Sequence, residues 1–134
     1  MESFYIGIDI GTTATKAVCF DINGKVIREF SHSYPMYHPK PDWSVQRPDE
    51  ILDAVLACIA EITKGIKPEF ISFSSAMQSI IAVNKDGNPI TDAVLWADNR
   101  SHAWAEKLKN SEQGKDFYQK TGIPIHPFSP MTKI

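Results

Sequence analysis

Asp9 is followed at short range by Gly11, Thr12, Thr13 and Lys16, within the stretch Phe4-Tyr5-Ile6-Gly7-Ile8-Asp9-Ile10-Gly11-Thr12-Thr13-Ala14-Thr15-Lys16. A glycine turn carrying two hydroxyls can offer N–H and O–H groups to a phosphate oxygen, and a carboxylate beside it can hold a metal ion or its water shell. The stretch is not a Walker A loop, because Thr15-Lys16 stands where that motif needs Gly-Lys, and it is not Gly-x-Gly-x-x-Gly either. The plain alternative is a hairpin with an edge acid and a solvated turn. Two later clusters also carry chemistry. Ser74-Ser75-Ala76-Met77-Gln78-Ser79 leaves a strand as small and polar residues around one methionine, and Trp96-Ala97-Asp98-Asn99-Arg100 gathers an aromatic plane, a carboxylate and a guanidinium. The second set can stack on and hydrogen-bond to a polyhydroxylated molecule. Equally, Asp98 can cap the helix that follows and Arg100 can pair with it.

The elements that must position these residues follow from periodicity. Alternation sets Phe4, Ile6, Ile8 and Ile10 on one face of a strand and Tyr5, Gly7 and Asp9 on the other. Lys16 to Asp21 reads as a second strand, and Asn23-Gly24 turns it into a third over Val26 to Ser33. Residues 34–48 carry four prolines and read as an ordered crossing loop, with Tyr34, Tyr37 and Trp43 lying on the core as a lid. A helix starts at Pro48, with Asp49 and Glu50 at its positive end and Ile51, Leu52, Val55, Leu56, Ile59 and Ile62 as its apolar stripe. It feeds a strand over Glu69 to Ser75, as in the crossover of an α/β layer. Further strands are expected at Ile80 to Val83 and around Ala93 to Leu95. Helices are expected over Ser101 to Lys109, with Trp104 and Leu108 on one side, and over Gly114 to Lys120.

A chain of 134 residues has the length of one ordinary domain, and 43% hydrophobic with 22% charged residues indicates a soluble globular protein. Fourteen Lys and Arg against sixteen Asp and Glu give a net charge of −2 with neither sign concentrated, which argues against nucleic acid or an anionic membrane as partner. No apolar run approaches the roughly 20 residues that span a bilayer, so the cytoplasm is the expected compartment. Cys19 and Cys58 have no paired spacing and read as small buried residues. The ending Met131-Thr132-Lys133-Ile134 reads as the opening of another element, so the chain is expected to be the front of a longer protein.

Taken in order, these stations resemble the N-terminal part of the FGGY carbohydrate kinases, sugar and polyol kinases of the actin, hexokinase and Hsp70 ATPase superfamily. Gly7-Ile-Asp9-Ile-Gly11-Thr-Thr13-x-x-Lys16-Ala is similar to the family's opening signature, Phe73 to Ser79 to its first sugar-contacting loop, and Leu95 to Arg100 to its second. Within the family the wording is most like the gluconate kinases, through Phe73-Ser-Ser-Ala-Met77, Trp96-Ala-Asp98-Asn-Arg100-Ser and Thr121-Gly122-x-Pro124-x-His126-Pro127. Xylulose kinases typically have Met-His-Gly where this chain has Met77-Gln78-Ser79, and glycerol kinases have an Arg-Glu pair that is absent here.

The resemblance implies a ribonuclease H-like α/β fold, with residues 1–134 forming an incomplete sugar-binding domain and a C-terminal nucleotide-binding domain lying outside them. It implies ATP-dependent phosphorylation of a sugar acid, D-gluconate to 6-phosphogluconate, by the full-length protein. The alternatives are a xylulose or other polyol kinase, and a non-catalytic sugar or nucleotide sensor. Asp9 is then expected near magnesium, Gly11, Thr12, Thr13 and Lys16 at the phosphate of ATP, and Met77, Gln78, Trp96, Asp98 and Arg100 around the sugar. The general base of the family is an aspartate beyond residue 134, so residues 1–134 alone are expected to be inactive. His38 receives no role, His126 in the resembling tail motif is open between a site role and a structural one, and a homodimer is admitted for the full-length protein.

Overall fold

The computed structural model describes residues 3–134. In chain order the elements are β1 (Phe4–Ile10), β2 (Ala14–Asp21), β3 (Val26–Ser33), β4 (Val45–Gln46), α1 (Pro48–Ile62), β5 (Phe70–Ser75), β6 (Ala93–Val94), α2 (His102–Lys109), α3 (Glu112–Thr121) and a 3-10 turn at Pro130–Thr132. They fall into two compact units, one running to Met36 and resuming over Arg47–Ala76, the other made of Tyr37–Gln46 and Met77–Ile134.

The first unit is a mixed sheet in the order β3-β2-β1-β5, antiparallel between β1, β2 and β3 and parallel between β1 and β5. The alternation read from the sequence decides its faces: Ile6 and Ile8 are buried with Ala17, Cys19, Cys58 and Ile62, while Asp9 stands on the opposite face. Each fully buried isoleucine contributes about 2 kcal/mol through apolar area removed from water. At the β2–β3 turn, Asp21 Oδ1 accepts the N–H groups of Asn23 and Lys25, both at 2.9 Å, and Gly24 takes a φ of 78°. A left-handed φ costs glycine little, which is why the Asn-Gly pair works there.

Helix α1 starts at Pro48 with two acids in its first turn, as expected. Its buried row differs from the expected stripe. Ala54, Cys58 and Ile62 face the sheet, whereas Leu52 and Leu56 are 55% and 54% exposed. Ile62 belongs to the expected stripe and is fully buried, and Ile59 packs partly against the core, so the stripe is turned rather than replaced: Cys58 and Ile62 pack among Ile6, Ile8, Ala17 and Cys19. The last turn has no basic residue of its own, and Arg28 on β3 supplies the cation. Its Nη1 donates to the carbonyls of Lys64 at 2.9 Å and Glu61 at 3.2 Å.

The second unit is built on less regular structure. Residues 34–48 are not all loop: Val45–Gln46 forms β4, antiparallel to β6 in the register Val45↔Val94 and Gln46↔Ala93. The strand expected over Ile80 to Val83 is absent. Only Ile80 pairs with Val94 and Val83 with Pro89, and Ile81 and Val83 lie exposed, so no buried face holds a register there. The three aromatics expected as one lid are divided, Tyr34 in the first unit and Tyr37 and Trp43 in the second.

Helix α2 buries Ala105 and leaves Trp104 52% exposed, against the expected face. Helix α3 begins two residues earlier than its pattern indicated, because Ser111 caps it by accepting the Gly114 N–H at 3.0 Å; Gly122, at φ 69°, closes it. The tail folds back onto α2: Ser101 Oγ donates to the Pro127 carbonyl at 3.2 Å, and the Lys133 ammonium donates to the carbonyls of Leu95 and Phe128. No helix among the described residues is long and apolar enough to cross a membrane.

Candidate functional site

In the first unit, parallel pairing sets Ser74 opposite Asp9, and antiparallel pairing sets Lys16 opposite it on the other side. Ser74 Oγ donates to Asp9 Oδ1 at 2.5 Å. These residues line an open groove of about 360 Å³ together with Gly7, Val18 and Ser72. The turn beyond β1 closes with Gly11 N–H on the Ala14 carbonyl at 3.0 Å. A Cβ on Gly11 would stand 3.1 Å from that carbonyl, a tight approach, and 3.7 Å from Asp9 Oδ2, an ordinary contact, so glycine lets the turn close on itself beside the carboxylate. Thr12 and Thr13 occupy the bend, with Thr13 exposed. Lys16 Nζ lies 3.1 Å from Glu29 Oε2, and both side chains are more than half exposed. Such a pair contributes at most about 1 kcal/mol, so the ammonium can exchange it for another anion at little cost.

Tyr34 is a member of this site that the sequence pattern did not single out. Its hydroxyl donates to the Gly11 carbonyl at 2.6 Å and lies 3.3 Å from Thr15 Oγ1, and its backbone N–H donates to the Thr13 carbonyl at 3.2 Å. Burial raises the pKa of its phenol above the ordinary range, so the hydroxyl stays protonated and able to donate its hydrogen bond at neutral pH. The Ser74 contact with Asp9 was also missed. The only signal was that Ser74 opens the small polar cluster at the end of β5, and pairing register was needed to turn that into a partner.

Magnesium is bound in phosphoryl-transfer sites by one or two carboxylates together with water and substrate phosphates rather than by a complete protein cage. Asp9 fits that demand: it is an exposed hard oxygen ligand beside a hydroxyl-bearing turn, with Oδ1 steadied by Ser74 and Oδ2 on the side of Gly11. Among the described residues no three His, Cys, Asp or Glu side chains gather into a ligand set.

The second unit holds the remaining expected residues. Met77 is 77% exposed, and Gln78 has a φ of 66°, a left-handed conformation that a non-glycine residue adopts at some cost. Trp96 is half exposed. Asp98, by contrast, is wholly buried. Its two oxygens accept Arg100 Nε and Nη2 at 2.8 Å each, the Ser44 N–H at 2.7 Å and the Arg100 N–H at 3.1 Å. Burial acts to raise its pKa, but the bonds from Arg100 and Ser44 outweigh it and hold the carboxyl below the usual range. It does not cap α2, whose N-terminal flank is Ser101 with no side-chain cap.

Asp98 therefore acts as a brace for Arg100, whose guanidinium also stacks over the Trp43 ring at 3.6 Å. Arg100, Trp43, Val45, Ile80 and Lys133 are among the walls of a cavity of about 480 Å³. Burial lowers the pKa of the Lys133 amine, Asp98 opposes that and Arg100 adds to it. His126 Nδ1 accepts the Phe128 N–H at 3.2 Å, and its ring packs on Phe128.

Comparison with known proteins adds the following. The sequence profile of the N-terminal domain of the FGGY family of carbohydrate kinases matches residues 4–134. A gluconokinase of Bacillus subtilis (strain 168) is 49% identical over 138 residues, covering 100% of this chain and 27% of that protein. Among solved structures, a gluconate kinase from Lactobacillus acidophilus superposes with a TM-score of 0.93 at 38% identity, over 99% of this chain and 27% of the other. A xylulose kinase from the same organism gives 0.91, also at 38%, over 98% and 27%. The chain thus spans about a quarter of the length of these relatives.

Proposed function

The chain belongs to the FGGY family of carbohydrate kinases, and its mixed sheet with flanking helices is part of an actin, hexokinase and Hsp70 type of fold; from that premise we propose that the protein containing it phosphorylates a sugar acid, D-gluconate, at the expense of ATP. The observation that carries the choice of substrate is the 49% identity to a gluconokinase along the whole of this chain. The first loop supports it, since Met77-Gln78-Ser79 has neither the histidine of xylulose kinases nor the Arg-Glu of glycerol kinases. A xylulose kinase is the second reading, because a xylulose kinase structure matches at the same identity as the gluconate kinase structure.

In this reading a sugar hydroxyl attacks the γ-phosphate of ATP in line, and catalysis consists of positioning and electrostatic stabilisation. Magnesium, when bound, spreads the charge that develops on the phosphoryl oxygens. Asp9 would hold it, with Ser74 fixing the carboxylate. Gly11, Thr12 and Thr13 offer N–H and hydroxyl donors to the phosphate, and Lys16 exchanges Glu29 for it. Met77, Gln78 and Trp96 border the sugar. Arg100, aimed by Asp98 and Trp43, meets the sugar-acid carboxylate in a charge-assisted contact. The general base and the adenosine site belong to the part of the protein beyond residue 134.

The test follows magnesium- and ATP-dependent phosphorylation by the complete polypeptide of gluconate, xylulose, ribulose and glycerol, with products identified by mass. Gluconate is expected to have the highest kcat/KM. A preference for xylulose would replace the substrate but keep the kinase, and no product from any of the four would overturn the proposal.

A further inference from the structure

We infer that Tyr34 is a positioning residue for phosphoryl transfer, bracketing the Gly11–Thr13 turn so that its peptide N–H groups are presented to the phosphate. The inference rests on the reading that this turn faces the phosphate, and it adds a residue from the loop that follows β3, outside the opening motif.

The turn has one internal backbone bond across it, from Gly11 N–H to the Ala14 carbonyl at 3.0 Å. That bond does not fix the carbonyls of Gly11 and Thr13. Tyr34 takes both: its hydroxyl bonds the first at 2.6 Å and its backbone N–H bonds the second at 3.2 Å. A trans peptide points its C=O and the next residue's N–H in opposite directions. Tying the Gly11 carbonyl to the phenol therefore directs the Thr12 N–H away from Tyr34 and sets the tilt of the Gly11–Thr12 peptide plane. The phenol is itself held. Tyr34 is 8% exposed, and Thr15 Oγ1, from a residue with no exposed surface, lies 3.3 Å from its oxygen. Cys58 Sγ donates to the Thr15 carbonyl at 3.4 Å, so the packing of α1 on the sheet backs the contact. Donors aimed in advance at the place where charge develops cost no reorganisation during the reaction, which is where positioning gains rate.

The experiment compares the complete polypeptide with its Tyr34→Phe variant, which keeps the buried ring and removes only the hydroxyl. Steady-state kinetics are measured with each substrate varied separately, and amide hydrogen exchange is followed residue by residue. The expected result is a fall of about tenfold in kcat/KM for MgATP with the sugar KM within about twofold of its original value, since misplaced phosphate donors affect the transferred group and not sugar binding. Exchange should quicken at the Gly11 and Tyr34 amides, which are bonded across and onto the turn, and stay unchanged in the interior of β1, β2 and β3. Unchanged MgATP kinetics would overturn the inference, and so would a parallel loss in both substrates with exchange quickened throughout the sheet, which is the mark of a merely structural residue. A Thr13→Val variant separates the premise from the inference. If it alters MgATP kinetics while Tyr34→Phe does not, Tyr34 has no positioning part; if Thr13→Val leaves them unchanged, the reading of the turn falls and the inference with it.

Discussion

A buried carboxylate is stable only when its partners outweigh the loss of water, and Asp98 shows the margin. It has no exposed surface, yet the two guanidinium bonds and two backbone N–H bonds hold its pKa below the ordinary carboxyl value. The consequence for stability has a definite sign. An unfolded aspartate titrates near 3.9, and the folded one titrates lower, so its stabilising contribution is whole above about pH 5 and is lost as pH falls through the folded value. Asp98→Asn should lower unfolding free energy at pH 7 by about 2 to 3 kcal/mol, because a charge-assisted pair becomes a neutral contact and the guanidinium loses its counter-charge. The gap between the two proteins should begin to narrow as pH falls below about 4 and go on narrowing down to the folded value. Denaturant titrations at pH 7, 5, 4 and 3 measure both effects, and a gap no smaller at pH 3 than at pH 7 would show that packing and not charge is what Asp98 supplies. The same brace bears on the proposed chemistry: the guanidinium plane of Arg100 is fixed between Asp98 and Trp43, so a sugar-acid carboxylate would meet it already oriented.

At the scale of elements, a glycine is held in place by close packing. Gly114 lies in the first turn of α3, and a Cβ there would come 2.0 Å from the Leu108 carbonyl oxygen and 3.0 Å from Ile125 Cδ1. Helix propensity alone favours alanine by about 1 kcal/mol. The backbone clash reverses that, and Gly114→Ala should cost about 3 kcal/mol, at the upper end of overpacking, because the carbonyl terminates α2 and cannot turn aside like a side chain. A thermal melt of the variant checks it, and a raised midpoint would refute the packing. This explains what the sequence could and could not reveal. The β1–β3 meander, the Asn23-Gly24 turn and the start of α1 were legible because alternation, turn chemistry and a first-turn proline are local signals. The sequence placed Asp9 and the Gly11–Thr13 turn in one stretch, but the partners that orient them, Ser74 and Tyr34, come from 65 and 23 residues away and depend on pairing register. The inward face of α1 was legible in part: Ile59 and Ile62 of the expected stripe pack on the core, but Leu52 and Leu56 point out while Ala54 and Cys58 are buried. Period alone does not rank which side chains of a stripe turn inward.

For the whole molecule, the distribution of chemistry decides what 134 residues can do. The chain spans about a quarter of its relatives' length, and Asp9, which the proposed function gives to magnesium, is already bonded to Ser74. Asp98, the carboxylate of the other cluster, is sealed from substrate. In the proposed function neither is therefore the group that takes the proton from an attacking hydroxyl, a role that requires hydrogen-bond reach of that proton. Residues 1–134 by themselves should accordingly release no ADP from MgATP above the rate without gluconate. They should also associate. Phe70 and Phe73, 57% and 56% exposed, lie on β5, an edge strand of the four-stranded sheet, and an edge with exposed aromatics pairs readily with another chain. Sedimentation over a range of concentrations, run beside the ADP assay, examines both halves. A monomer at all concentrations would remove the edge argument, and gluconate-dependent turnover would mean that the general base lies within these residues after all.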